Sequence, residues 1–279
     1  AWQLATRANV EVFAWMPLLA FRLPPAHPAA ALQVAAADPD GARAAYARLS
    51  PFHPLARATI AELYADLARH APFRGILFHD DATLSDFEDA SPWAQALYAR
   101  EWGLPGTVAA IRADPGAAAR WSDRKTAALV AFSRELLDRA GAYRAPLKSA
   151  RNLYAGPVLD AQAEAWFAQS LPAFLAAYDQ TALMAMPYLE RAADPDAWLD
   201  ALVARVRAHP GALDKVVFEL QAKDWRADRA VPAAQLAGWM RRLQLGGALN
   251  FGYYPDDFVR DEPAYATVRP ALSLQAELE

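Results

Sequence analysis

The sequence predicts an α/β fold, a (β/α)8 TIM-type barrel lacking its first one or two βα units, on three observations. Six short β-rich apolar runs recur along the chain, amphipathic helical patterns lie between most of them, and polar or aromatic residues gather at the C-terminal end of every run. Strands that alternate with helices build βα units and a parallel sheet. A barrel of this kind assembles its site at one rim, from the ends of several strands. The rival, an open doubly wound sheet, usually carries a Gly-rich phosphate loop, and neither GxGxxG nor a Walker-type sequence is present.

In chain order the runs are "NVEVFAWMPL" (9–18), "RGILFHDD" (74–81), "APLKSARNLYA" (145–155), "TALMAMPYL" (181–189), "DKVVFELQAKDW" (214–225) and "GGALNFGYYP" (246–255). Residues 22–54 hold six prolines and read as a long rim loop. "LARATIAELYADLARH" (55–70) is a helix before the second run. Residues 82–123 carry short helices, one signalled by Ser91-Pro92. Three longer helices follow, over 124–141, 196–211 and 232–247. The first places Leu129, Phe132 and Leu136 on one face, the second stacks Leu199, Leu202, Val203 and Val206, and the third starts at Pro232 and ends at glycine. No internal repeat or low-complexity linker divides the chain, so residues 1–279 read as one domain. The opening "AWQLATRANVEVFAW" reads as a helix tail running into a strand, as in a fragment of a longer protein.

Composition narrows the partners. The 279 residues are 55% hydrophobic, enough for a sizeable core, and include nine tryptophans, which can fill a core or stack flat rings such as sugars. Net charge is −4 with no basic run, which argues against nucleic acid. The absence of cysteine excludes disulfides and thiolate chemistry. The five histidines share no short spacing, so a metal site is not expected, and neither is a cofactor. No GxSxG elbow supports acyl transfer.

Acids concentrate after the second run, in "HDDATLSDFED". Alternation sends Asp80 and Asp81 to opposite sides, so only one of them faces the barrel axis. An inward strand-end carboxyl among aromatics would keep a proton near neutral pH and act as a general acid. The competing reading makes both acids caps for the following loop, or holders of a structural cation. Asp86 is placed to orient the acid or hold a cationic ligand, Glu88 and Asp89 read as solvated charges or helix caps, and His79 as hydrogen-bonded to an adjacent acid. Glu219 is a second carboxylate or a rim residue. Asp224 and Trp225 follow its strand, where a tryptophan stacks a ligand or covers the rim. Lys148, Arg151 and Asn152 fall on a buried strand, where carboxylate partners are expected. Met184 and Met186 read as packing, Tyr188, Glu190, Tyr253 and Tyr254 as rim candidates, and Trp166, by helical spacing, as core.

Taken in order, "GILFHDDATLSDFEDAS", "KSARNLYA", "EAWFAQSL", "MAMPYLE", "ALDKVVFELQAKDW" and "NFGYYPDDF" resemble the C-terminal domain of the bacterial biofilm-polysaccharide deacetylases. The resemblance runs from about residue 48 to Phe258. It implies an endo-acting glycoside hydrolase barrel that binds partially de-N-acetylated poly-β-1,6-N-acetyl-D-glucosamine in the periplasm, as a monomer working toward an outer-membrane export pore. A non-cutting module that guides the polymer is the alternative. The resemblance places catalysis at Asp80, as the general acid, with Asp86 and Glu219 as further carboxylates. It lines the groove with Tyr46, Asp81, Trp166, Tyr188, Asp224, Trp225 and Tyr253, which moves Trp166 out of the core. The family's deacetylase domain is not among these residues.

Overall fold

The computed structural model describes residues 7–23, 29–38 and 47–273. All six apolar runs contain strands, and all six strands join one sheet in the order β1-β2-β3-β4-β5-β8. They are β1 (Phe13–Met16), β2 (Gly75–Phe78), β3 (Lys148–Leu153), β4 (Gln180–Ala185), β5 (Val216–Gln221) and, last, β8 (Asn250–Tyr254). Between β5 and β8 the two-residue strands β6 (Lys223–Asp224) and β7 (Arg229–Ala230) form a separate antiparallel pair. The pairs β1–β2, β2–β3, β4–β5 and β5–β8 are parallel. Helices come between consecutive strands of the sheet, as a TIM-type barrel short of some of its units requires.

The chain divides into two compact units interleaved in sequence. The first takes residues up to Arg151 together with 162–178, and the second takes 152–161 and everything from Asp179 onward. In the first unit lie α1 (Pro54–His70), α2 (Pro92–Arg100), α3 (Val108–Ala113), α4 (Pro115–Gly141) and α5 (Leu171–Ala177). The second holds α6 (Pro195–Arg207), α7 (Ala233–Leu245) and α8 (Tyr265–Leu272).

Helices α1, α2, α4 and α6 open alike, with a capping side chain followed by proline in the first turn. His53, Ser91, Asp114 and Asp194 each accept a hydrogen bond from a backbone amide of that turn. Proline lacks an N–H where none is needed, and a cap of this type is worth about 1 kcal/mol. Helix α4 therefore starts at Pro115 rather than at 124, because Asp114 satisfies the amides of Gly116 and Ala117.

In the first unit, β2 lies against α1. Phe78 stacks on Tyr64 with ring centroids 6.0 Å apart, and Ile60, Tyr64, Ile76 and Phe78 are fully buried. Ile76 and Phe78 thus occupy the helix side of β2, and Leu77 points the other way, level with Trp15 of β1. Gly75 is required by crowding: a Cβ there would meet the Phe13 ring at 2.3 Å and the Lys148 carbonyl at 2.7 Å. In the second unit, Leu199, Leu202 and Val206 of α6 and Leu236, Met240 and Leu243 of α7 are fully buried. No helix among the described residues is long and apolar enough to cross a membrane.

Candidate active site

Strand β2 ends at Phe78, and the next three residues form a polar cluster within the first unit. His79 continues the Leu77 side of the strand and lies against the Trp15 ring, with centroids 4.7 Å apart and planes tilted by 44°. Its Nδ1 is 2.7 Å from Asp80 Oδ1 and 3.5 Å from Asp81 Oδ1. Burial opposes charge on the imidazole, but hydrogen bonds and attraction from the two carboxylates outweigh it and raise the pKa to about 9. Asp80 keeps only 14% of its side chain exposed. Strict alternation would have sent residue 80 to the helix side with Phe78; the strand stops first, and a turn carries Asp80 to the histidine.

Asp81 has a different task from the substrate contact expected of it. Its side chain is fully buried, and its oxygens accept from the backbone amides of Leu18 (2.9 Å), Leu19 (2.6 Å) and Ala20 (2.6 Å). With both oxygens so engaged, it anchors the segment that follows β1.

The loop after Asp81 is held from beneath. Lys125 on α4 is fully buried, donates to the carbonyls of Leu84, Ser85 and Glu88, and lies 3.7 Å from the Trp121 ring centre. Burial lowers its pKa to about 7, against the pull of Asp86, Glu88 and Asp89. Glu88 pairs with Arg48 at 2.7 Å. Asp89 accepts from the Ala35 amide (3.0 Å), the Ser50 hydroxyl (2.6 Å) and the Ser91 amide (2.8 Å), and burial raises its pKa despite those bonds. Glu88 and Asp89 are accordingly not solvated charges, because each has buried donors waiting for it. Asp86 is half-buried on this loop, bonded to Arg112 at 3.2 Å from Nε and 3.1 Å from Nη2, with the guanidinium 3.6 Å from the Phe87 ring centre.

Trp166 sits on the single helical turn Glu164–Phe167 and is 51% exposed, not in the core that helical spacing alone allowed. Arg151 is fully buried, yet its partners are the Tyr178 hydroxyl and the Ala82 carbonyl, each at 3.0 Å, with the Phe174 ring beneath it. Of the strand's expected carboxylate partners, Lys148 has one in Glu11, at 2.7 Å. Tyr46 lies outside the described residues.

In the second unit, Glu219 on β5 accepts a 2.7 Å hydrogen bond from the buried Asn152 amide. The fully buried Gln221 accepts from the amides of Tyr188 (2.7 Å) and Leu189 (3.2 Å). The Tyr188 hydroxyl takes a 2.6 Å bond from Gln235 on α7, and its ring packs edge-on against Trp239. Asp224 is nearly buried and caps the turn after it by accepting from the Arg226 and Ala227 amides. That turn presents Trp225, 38% exposed and stacked on Tyr254 with centroids 6.2 Å apart and planes 26° from parallel. Tyr253 donates to Asp256 at 3.2 Å, and burial together with that carboxylate pushes its pKa up to about 12. Glu190 is raised by burial, with Arg226 pulling the other way.

Residue types alone did not give two of the pairings in these clusters. Trp15 was visible as an aromatic at the end of a run, but its pairing with His79 depends on the β1–β2 register. Tyr254 needed the turn geometry of Asp224 to bring Trp225 onto it. Among the described residues no group of three or more His, Asp or Glu side chains is arranged to hold a metal ion.

Known proteins resemble this chain over almost its whole length. A poly-beta-1,6-N-acetyl-D-glucosamine N-deacetylase of Escherichia coli (strain K12) is 45% identical over 98% of the chain, which spans 42% of that relative. The glycoside hydrolase domain of PgaB (BpsB) from Bordetella bronchiseptica is 48% identical and superposes with a TM-score of 0.93, over 98% of this chain and 78% of that one. A beta-galactosidase from Marinomonas ef1 shares the fold alone, at 12% identity and a TM-score of 0.62, over 91% of this chain and 45% of that one. Over residues 1–254 the sequence matches the model of hypothetical glycosyl hydrolase family 13, and the chain belongs to that family.

Proposed function

We propose that this chain is an endo-acting glycoside hydrolase that cleaves partially de-N-acetylated poly-β-1,6-N-acetyl-D-glucosamine, with Asp80 as its central catalytic carboxyl. The observation that carries the reading is Asp80 itself: an acid with little exposure, set just past the C-terminal end of a parallel strand, in a chain of a glycosyl hydrolase family. The polymer comes from the relatives. One is named for that polysaccharide, and another is a glycoside hydrolase domain of almost half-identical sequence.

Asp86 and Glu219 are the further carboxylates of the proposal. Trp166 and the Trp225–Tyr254 pair offer exposed ring faces, and rings of that kind stack on the apolar faces of pyranoses. Tyr188, Tyr253 and Asp224 enter as residues that shape the rim, Tyr46 by resemblance alone. A periplasmic address, a monomeric state and work alongside an export pore belong to the same proposal and rest on the resemblance.

Incubation with partially deacetylated polymer, followed by mass analysis of the products, tests it. Cutting yields short oligosaccharides that disappear with Asp80→Asn while binding persists. Polymer of unchanged length that is still bound by the wild-type chain would leave a guiding module instead.

A further inference from the structure

The loop that leaves Asp80 ends on an exposed tryptophan that the proposed function does not use. Trp93 stands in the first turn of α2 and is 45% exposed, with its ring against the His53 imidazole at 4.9 Å between centroids and planes tilted by 45°. His53 is the cap of α1. The two helix starts are fixed to each other through Asp89. Its carboxylate accepts from the Ser50 hydroxyl (2.6 Å) on the way into α1 and from the Ser91 amide (2.8 Å) on the way into α2. Ser50 also accepts from the Phe52 amide (3.2 Å), and Phe52 packs edge-on against Tyr98 of α2 and Trp102 just past it. The rings of Trp93 and His53 are thus set in place before any ligand arrives, which lowers the ordering cost of binding.

The pair lies at the end of the first unit where the candidate acid lies. Helix α1 packs on β2 and runs back to the start of that strand, so His53, at the other end of the helix, is where β2 finishes and Asp80 follows. Residues 79–91 form a single rim loop from Asp80 to Trp93. Partway along it the Leu84 amide donates to the Phe167 carbonyl (3.3 Å), which ties in the turn that bears Trp166. Along that loop the order is Asp80, the Trp166 turn, then Trp93. A half-exposed tryptophan presents on the order of 100 Å² of ring, enough for one pyranose face. Even with Leu55 added, exposed in the first turn of α1, the patch is far short of the roughly 800 Å² per partner that a stable protein interface covers. Neither helix has an acid in its first turn, so the contact takes a sugar by its apolar face and not by an amine. We propose that Trp93, backed by His53, is an outer subsite on which the polysaccharide stacks a ring beyond Trp166. This deepens the proposed function and rests on it.

Indole NMR resonances test this in the full chain carrying Asp80→Asn, so that no ligand is cut, with Trp93→Phe and Trp166→Phe used to assign the two signals. The probe is a set of long, partially de-N-acetylated β-1,6-linked glucosamine oligosaccharides. They are expected to shift both the Trp166 and the Trp93 resonances. Adding Trp93→Ala should weaken their binding about fivefold, the loss of one stacked ring, and Trp93→Phe, which keeps a ring, should recover most of that loss. The resonance shift is read with the native Trp93 in place, so it decides the matter even if the alanine variant folds poorly. Oligosaccharides that shift Trp166 and leave Trp93 still overturn the subsite while the proposed function stands, and so does unchanged affinity in Trp93→Ala. A protein that binds none of them defeats both. A Trp93 signal that moves on dilution of the sugar-free protein assigns the patch to a second copy of the chain, and the subsite is wrong.

Discussion

Asp86 was expected to orient the acid or hold a cationic ligand, such as an amine-bearing sugar, yet Arg112 already bonds to it through two nitrogens. A carboxylate with a guanidinium beside it keeps little field for a second cation. Removing the arginine should therefore expose the charge. Arg112→Ala is expected to tighten binding of amine-bearing oligosaccharides about three- to fivefold, within the ~1 kcal/mol typical of a solvent-accessible pair, and to leave fully acetylated ones unchanged. Calorimetry with both oligosaccharides checks this, and the gain should shrink as salt is added. A similar gain on both ligands would remove charge selection from Asp86. Other residues differed in how well the sequence exposed them. Asp80 was legible because a strand end in a barrel is where chemistry gathers. Asp81 was not, since its three partners are backbone amides 61 to 63 residues away in sequence. Trp166 shows the limit of periodicity: its spacing suits a helix interior, but its helix is a single turn with no interior to enter.

At the scale of elements, the strands were legible and the loops were not. Each apolar run holds a strand because β-branched and aromatic residues are concentrated there, and this signal is local. The first turn of α4 was overlooked because Asp114-Pro115-Gly116 reads equally well as a loop, until Asp114 is seen to accept from the amides that follow. The loop from Leu84 to Asp89 looked like a solvated acidic stretch. Its order comes from Lys125, 36 or more residues later, whose ammonium finds three carbonyls and a tryptophan face. Lys125→Met keeps the bulk and removes those donors, leaving buried carbonyls without their partner. The expected cost is about 3 kcal/mol in urea unfolding, since each buried group left unsatisfied costs about 1–3 kcal/mol and the loop can relax in part. A loss below about 1 kcal/mol would mean that Arg48–Glu88 and the Asp89 cluster hold the loop without the lysine. The same variant should weaken oligosaccharide binding if Asp86 contacts the sugar, because Asp86 sits between two of the clasped carbonyls.

For the whole molecule, the two perturbed bases of the first unit act on stability in opposite directions. His79 has its pKa raised from 6.5 to about 9, so from pH 6.5 to 9 the folded chain holds a proton that the unfolded chain has released. Its contribution is complete below 6.5 and is lost as pH rises through 9. Lys125 has its pKa lowered from 10.5 to about 7, so from pH 7 to 10.5 the unfolded chain holds the extra proton and stability rises with pH. Between pH 7 and 9 the two slopes cancel, and the wild-type unfolding free energy should be nearly level. His79→Gln removes the falling slope, so its stability should rise from pH 7 to 9. Lys125→Met removes the rising one, so its stability should fall over the same interval. Urea unfolding of the three proteins at pH 6, 7, 8 and 9 reads both signs in one experiment. Matching slopes in the two variants would mean that neither base is perturbed as its surroundings demand. A falling slope retained in His79→Gln would move the raised pKa to another group. Sequence gives no hint of this balance. It depends on an imidazole caught between two carboxylates and an amine sealed under a loop, and both come from the packing of distant segments.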